Sequence, residues 1–546
     1  MEFLQDAPQL VHPYRNDRLL LALLDRVIPP AQRAALDHDL DALGDYAQFA
    51  WTRAQQTTRR SPVLTRWGAW GERVDRIELT TAWLEGPQLT TRHAILAAGH
   101  ASGEFARVEA FARVYLYHLA SAFYTCPLAM TDGAATALKA SGNQALIARA
   151  LPHFLTRDPA QFWLSGQWMT ETAGGSDVGR TGTQARQDAD GQWRLYGRKW
   201  FSSAVVGEAA LALARPEGAA DGTGALALFY VETMDGQTRK PELVIDRLKD
   251  KLGTRELPTA EIHLDGLPAW PLGELGHGVR QIAPMLNVTR TWNAVCAVAS
   301  MARAIALARD YAARREAFGR PLLEQPLHAQ TLAAMQAEFE AAFALAFEVA
   351  QLLGRVEHGS AAAHEPALLR LLTPLAKLWT GKLAVKICSE AIECFGGAGY
   401  IEDTGLPQLL RDAQVYPIWE GTTNVLSLDS LRALAGGSFD ALRTAIDGWL
   451  ADSTEAPLRD RVGAALDAAA TQLADATGQR DALEAGARGL AFTLARCAAA
   501  ALLARQAAWS KQRGEMRPGA ALRRFTSHGL DRLVDVGAAD TRLLAG

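Results

Sequence analysis

Cysteine is scarce in this chain. Five residues (Cys126, Cys296, Cys388, Cys394 and Cys497) occur among 546, with no CxxC or other metal-ligand spacing. That argues against a disulfide framework or a thiolate metal site, and it reads as reduced thiols in a cytosolic protein. An excess of charge of either sign is also missing. The formal net charge of -4 points neither to nucleic acid nor to a membrane surface. No uninterrupted apolar run reaches the roughly 18 residues of a membrane span. The run Leu19 to Leu24 stops at Asp25, and the alanine-rich stretch around Cys497 is cut by Arg496 and Arg505. The expectation is no signal peptide, no membrane span and a cytoplasmic location. Three chemical motifs are absent too: a GxGxxG that opens a helix after a strand, a P-loop and HExxH. No metal site is expected.

What the chain does have is a change of texture. Residues 1–165 are rich in alanine, with apolar residues at three- and four-residue spacing, as from Ala94 through Phe105, Phe111 and Tyr115. From residue 166 glycines become dense and short alternating runs appear. Asp190-Gly191 precedes Trp193 to Tyr196 as a hairpin signal, Leu226 to Val231 reads as a buried strand, and Glu261 to Asp265 alternates. Helical periodicity returns after Gly278 and runs to Ala435. Gly436-Gly437-Ser438 follows as a linker to a last helical segment. The reading is an α+β multidomain chain: an N-terminal helical domain (1–165), a central antiparallel β domain (166–272), a C-terminal helical bundle (273–435) and an appended helical segment (436–546).

Five motifs carry chemistry. Met169 to Asp177 (MTETAGGSD) lies where helix gives way to sheet; its glycines allow close backbone approach to a ligand, and its hydroxyls suit a polar ring edge or phosphate. Gly197 to Ser203 (GRKWFSS) sets two aromatics before two hydroxyls, a stacking wall with a polar rim. Tyr311, Arg315 and Phe318 share a helix face, so a guanidinium for phosphate sits beside a ring for a base. Phe395 to Tyr400 (FGGAGY) ends a helix in paired glycines, which suits a C-cap or contact with a pyrophosphate. Ile418 to Asn424 (IWEGTTN) places Glu420 between a bulky aromatic and a glycine, just before a helix that Thr422 or Thr423 can cap. A carboxylate there is a candidate base. Each motif by itself serves equally well as a connector, a core strand, a solvated arginine or a cap.

Their order and spacing together are specific, and the sequence resembles the acyl-CoA dehydrogenase superfamily over residues 90–435. The resemblance rests on the TE…GSD segment at Thr170–Asp177, Gly197–Ser203, Lys251 to Arg255, YxxxRxxFG at Tyr311–Gly319, GGxGY at Gly396–Tyr400, Arg411-Asp412-Ala413 and the EGT at Glu420–Thr422. Within the superfamily it looks most like the AidB-like branch of alkylation-response flavoproteins. Cys126 to Thr131, Lys199-Trp200-Phe201, Ile418 to Gly421 and the appended segment point that way.

The resemblance implies FAD as cofactor and an acyl-CoA as substrate, in a homo-oligomer built as a dimer of dimers. It implies Met169, Thr170 and Ser176 along the flavin, with Phe201 and Ser203 at its ring edge. Arg315 would reach the pyrophosphate and Phe318 the adenine across a subunit interface, while Glu393, Gly396 and Gly397 would meet the neighbour's FAD tail. Thr422 and Asn424 would lie by the FAD. Glu420 would take the α-proton of the thioester as the β-hydrogen leaves as hydride, and the thioester oxygen would be held by the Glu420 backbone N–H and a ribityl hydroxyl, in the manner of an oxyanion hole. The sequence names no electron acceptor and no acyl chain length.

Some positions depart from the common pattern: Thr172 for proline, Leu257 for serine, Glu393 for glutamine and Trp419 for tyrosine. They leave FAD binding in place and bear on the substrate and rate of dehydrogenation. The branch is also associated with DNA. Residues 486–546 hold ten basic and four acidic side chains, against four basic and nine acidic in 436–485. Two readings of this segment stand: its arginines form salt bridges to the acidic half or to other subunits, or a basic face of 486–546 binds duplex DNA. Sequestration of an acyl-CoA without turnover is a further reading.

Overall fold

The computed structural model describes residues 6–56, 60–453, 455–476, 478–534 and 538–546. The chain forms two compact units. One comprises residues up to 51, 102–115 and 293–546; the other comprises 52–101 and 116–292. The helix Ala283–Arg314 contributes to both.

The second unit is built on a seven-stranded sheet. Seven residue runs supply it: β3 (Ser165–Trp168), β4 (Gln184–Gln187), β5 (Trp193–Ser203), β6 (Ala209–Pro216), β7 (Ala227–Glu232), β8 (Leu243–Leu248) and β9 (Thr259–Pro271). Strand order is β8-β9-β5-β4-β6-β3, with β7 paired to both β6 and β9. The alternating pattern of β9 puts Ala260, Ile262 and Leu264 into a core with Leu195, Ala212, Phe229, Val231 and Ile245. Most pairs are antiparallel as the sequence leads one to expect, but β6 runs parallel to both β3 and β4. The expectation of a wholly antiparallel domain is corrected on that point. The segments before β6 return to it by crossing over, which local patterning does not reveal.

A second correction concerns residues 1–165. They are not wholly helical: β1 (Val63–Trp67) and β2 (Arg73–Glu78) form an antiparallel hairpin, and its Leu64 and Ile77 pack on the core of the sheet.

The first unit is helical. Long helices Pro326–His358, Glu365–Glu393 and Arg480–Lys511 pack together with Thr423–Ala435, Ser438–Trp449 and Arg517–Ser527. The appended segment joins through charge as well as apolar surface. Arg496 Nη1 lies 2.9 Å from Glu338 Oε2, His528 Nδ1 lies 2.8 Å from Glu338 Oε1, and Arg505 Nη2 lies 2.5 Å from Glu348 Oε2. Two helices, Ala283–Arg314 and Arg480–Lys511, are long and apolar enough to cross a membrane, yet 89% and 83% of their apolar windows are buried inside the structure. That is the pattern of core helices.

Candidate functional site

The expected site residues fall into two groups, one in each unit. In the β unit, the chain leaves β3 through Met169 and Thr170, both half-buried. The Trp200 backbone N–H donates to the Thr170 carbonyl at 2.9 Å, which ties this loop to β5. Met169 and Thr170 are thus brought beside Phe201 and Ser203. Ser176 lies further along the same loop and is exposed.

Behind this face sits a buried ion pair to which the sequence reading gave no role. Lys199 and Glu171 are 1% and 8% exposed. Lys199 Nζ donates to Glu171 Oε1 at 2.6 Å and to the Leu213 carbonyl at 2.8 Å. Glu171 also accepts from Thr183 Oγ1 at 2.6 Å and from the Gly182 N–H at 2.7 Å. Burial pushes the Glu171 carboxyl up, but the Lys199 charge and these donors outweigh it and hold it below the usual range. Lys199 is buried while the next two residues, Trp200 and Phe201, are both exposed at 39% and 40%; alternation breaks there because the pairing of β5 with β9 shifts register between Ala260 and Ile262. Lys249 Nζ covers those rings at 3.8 Å and 4.8 Å from their centroids and pairs with Glu261 at 2.6 Å. The Glu261 carboxyl is held down to about 2 by Arg247 and Lys249. Ser203 Oγ reaches Thr259 Oγ1 at 3.2 Å, and the buried Ser202 Oγ and Gln167 Oε1 have no protein partner. An exposed aromatic pair, a cation and a rim of hydroxyls make a surface for a planar, polar-edged ring system.

In the helical unit, Glu420 sits at the end of a turn with φ +56, followed by Gly421 at φ +104. A glycine accepts such a conformation freely; a glutamate there costs about 1–3 kcal/mol and persists only where its surroundings fix it. They do fix it. Tyr416 is buried and its OH lies 2.6 Å from Ser300 Oγ. The N–H groups of Ile418 and Trp419 both donate to the Val415 carbonyl, at 2.9 Å and 3.0 Å. Thr422 then caps the helix Thr423–Ala435, its hydroxyl accepting from the Val425 N–H at 3.5 Å, as its position before an apolar periodic run leads one to expect. Asn424 is exposed in the first turn of that helix.

The remaining expected residues gather elsewhere in this unit. The rings of Tyr311 and Phe395 meet at 4.9 Å, which brings the Arg315–Phe318 turn beside Glu393, Gly396 and Gly397. The helix ends at Arg314 and Phe318 has φ +53, so the helix face expected to be shared by Arg315 and Phe318 does not form; they lie on the turn that follows, where Phe318 is 97% exposed. A Cβ on Gly396 or Gly397 would meet nothing within 4 Å, so this backbone is open to an approaching group. The Glu171–Lys199 pair, Lys249 and Lys377 (below) were not among the expected site residues. Of these only Lys377 carried a local signal, a lysine within an apolar run, since a buried cation requires partners.

The comparisons agree in order with this arrangement. Residues 7–158 match the adaptive response protein AidB N-terminal domain, 166–267 the acyl-CoA dehydrogenase middle domain, 276–435 the acyl-CoA dehydrogenase C-terminal domain, and 439–535 the acyl-CoA dehydrogenase 11 C-terminal domain-like family. Acyl-CoA dehydrogenase family member 11 of Caenorhabditis elegans is 43% identical over 446 residues, covering 80% of this chain and 72% of that protein. AidB of Escherichia coli is 35% identical over 396 residues, covering 70% and 71%. The crystal structure of Caenorhabditis elegans ACDH-11 in complex with C11-CoA superposes with a TM-score of 0.93 at 37% identity, covering all of this chain and 95% of the other.

Proposed function

This chain belongs to the acyl-CoA dehydrogenase superfamily, and on that premise we propose that it is an FAD-dependent oxidoreductase that introduces an α,β double bond into an acyl-CoA thioester. The observation that carries the reading is Glu420: a carboxylate held in a left-handed turn by a buried tyrosine, a glycine and a helix cap. Strain retained at a polar residue is characteristic of functional sites.

The residues fit the cofactor. In the β unit Trp200 and Phe201 offer ring faces and Thr170 and Ser203 offer hydroxyls; in the helical unit Gly396 and Gly397 offer open backbone to the FAD of a neighbouring copy. When bound, FAD supplies the acceptor for the β-hydrogen, which leaves as hydride. Glu420 would take the α-proton, so that the α C–H electron pair becomes the new π bond while the β C–H pair departs with the hydride, and no other atom is gained or lost. The Glu420 backbone N–H donates to the thioester oxygen as charge builds there; one such donor is worth about 3 kcal/mol. Arg315 and Phe318 would serve the FAD of a neighbouring copy in a dimer of dimers. The 97% exposure of Phe318 and 87% of Tyr400 support a second copy on that surface.

Glu420→Gln tests the assignment. The variant should keep its flavin and bind acyl-CoA while losing anaerobic flavin bleaching. Bleaching at the wild-type rate contradicts it.

A further inference from the structure

The helix Glu365–Glu393 carries a lysine in an otherwise apolar stretch. Leu375, Ala376, Leu378 and Trp379 surround Lys377 in sequence, and Lys377 is fully buried. A buried ammonium is costly unless its donors are satisfied. Lys377 Nζ donates to the Gly421 carbonyl at 2.5 Å. That carbonyl belongs to the residue directly after Glu420.

One turn further along the helix, Gly381 faces the same loop. A Cβ there would lie 3.0 Å from both the carbonyl carbon and the oxygen of Tyr416 and 3.2 Å from Pro417 N. Residues four apart share a helix face. The face carrying Lys377 and Gly381 therefore grips the Tyr416–Gly421 loop at both ends. It meets the backbone at Tyr416, where the absence of a side chain lets the loop sit against the helix. It holds the carbonyl at Gly421, where a charged donor fixes the peptide plane. Between these two points Glu420 takes its left-handed conformation.

We propose that Lys377 is a positioning residue for the Glu420 base: through the Gly421 carbonyl it fixes the peptide that follows Glu420, and so the direction of the carboxylate and backbone N–H that meet the thioester. The inference rests on the dehydrogenase reading above for its catalytic consequence, and on the geometry alone for the hold on the loop. A charge-assisted hydrogen bond is stronger than a neutral one and enforces direction. A base displaced by about 1 Å loses on the order of 10²-fold in rate.

The test compares wild-type holoprotein with Lys377→Met and Lys377→Gln. One readout is backbone amide deuterium exchange of the 415–425 segment, followed by mass spectrometry. The other is deuterium uptake at the α-carbon of phenylacetyl-CoA, a thioester with α-hydrogens and no β-hydrogen to lose, so that the base is observed apart from flavin reduction. In Lys377→Met, amide exchange should rise in 415–425 and not in the flanking helices. α-Carbon exchange at saturating thioester should fall about 10- to 100-fold, with the thioester Kd within about twofold and the flavin spectrum unchanged. Lys377→Gln, with a shorter neutral donor, should fall between. Unchanged loop protection overturns the proposal, as does wild-type α-exchange in Lys377→Met or a loss of rate matched by loss of thioester affinity. If Lys377→Met does not fold, Lys377→Gln decides by the same criteria. A wild type that exchanges no α-proton and reduces no flavin sinks the dehydrogenase reading instead, and the amide exchange still decides whether Lys377 holds the loop.

Discussion

Lys199 and Glu171 form a buried ion pair, Nζ to Oε1 2.6 Å, with side chains 0% and 9% exposed. Each is close in sequence to an expected flavin contact: Glu171 directly follows Thr170, and Lys199 lies two residues before Phe201. The pair therefore sets the spacing of the two segments that present the ring wall. Its removal should be felt at the cofactor and not only in stability.

Glu171→Ala leaves an ammonium buried without its carboxylate. Breaking such a pair from one side costs about 3–5 kcal/mol. The expected outcome is a lower unfolding midpoint together with weaker FAD retention on gel filtration. The pH dependence follows from the direction of the shift. The Glu171 carboxyl is held below its ordinary value in the folded chain. Its contribution is therefore complete above the unfolded carboxyl value near ~4.3 and is lost as pH falls through the lower folded value. Acid titration of the wild type should show this loss, and the variant should show less of it. Equal acid sensitivity would contradict the assignment.

Lys249 lies over Trp200 and Phe201. A cation in this position stabilises the ring arrangement by about 0.5–1 kcal/mol. Lys249→Met should raise the Kd for FAD by roughly fivefold or less, which is what ~1 kcal/mol converts to, without changing the fold. FAD titration followed by fluorescence measures it. A 100-fold loss would mean that Lys249 contacts the cofactor directly.

The basic C-terminal segment has internal duties. Arg496 is 4% exposed and paired with Glu338, and Arg505 is paired with Glu348. Burial pushes the carboxyls of Glu338 and Glu348 up, while their arginine partners more than offset it, so both lie below the ordinary range. Arg496→Ala should cost about 3–5 kcal/mol by leaving Glu338 buried with a missing partner, measured by denaturant unfolding. Any affinity for duplex DNA should depend instead on exposed arginines such as Arg517 and Arg523, 72% and 61% exposed. Neutralising those two should lower affinity and flatten its salt dependence. An unchanged salt slope would show that this face does not meet phosphates.

Thr422→Ala removes the cap of the helix that follows Glu420. Loss of such a cap costs about 1 kcal/mol. A modest fall in melting temperature with a larger fall in flavin reduction rate is expected, because the cap also fixes the turn that carries the base.

Much of this was legible in the sequence. The change from helical to alternating period at residue 166 coincides with the start of β3 at Ser165. Glu420 before a capped helix was readable because Thr422 precedes an apolar periodic run. Other features were not. The hairpin Val63–Trp67 with Arg73–Glu78 is short; burial in its first strand does not alternate, and in its second the inward positions are Asp75 and Ile77, so apolar period-2 patterning has little to detect. The parallel pairing of β6 with β3 and β4 depends on long-range crossover. Lys199 and Lys377 read as ordinary charges, because their partners Glu171 and the Gly421 carbonyl lie 28 and 44 residues away. The left-handed φ of Glu420 is a product of that tertiary grip and has no local signature beyond the glycine that follows.

The central claim is that this chain oxidises an acyl-CoA thioester with its flavin. Anaerobic titration of the holoprotein with a panel of acyl-CoAs of increasing chain length, followed by visible absorbance, tests it most directly. Loss of the oxidised flavin band with at least one thioester, and not with Glu420→Gln, is the predicted result. A flavin that dithionite reduces but no thioester bleaches would contradict it.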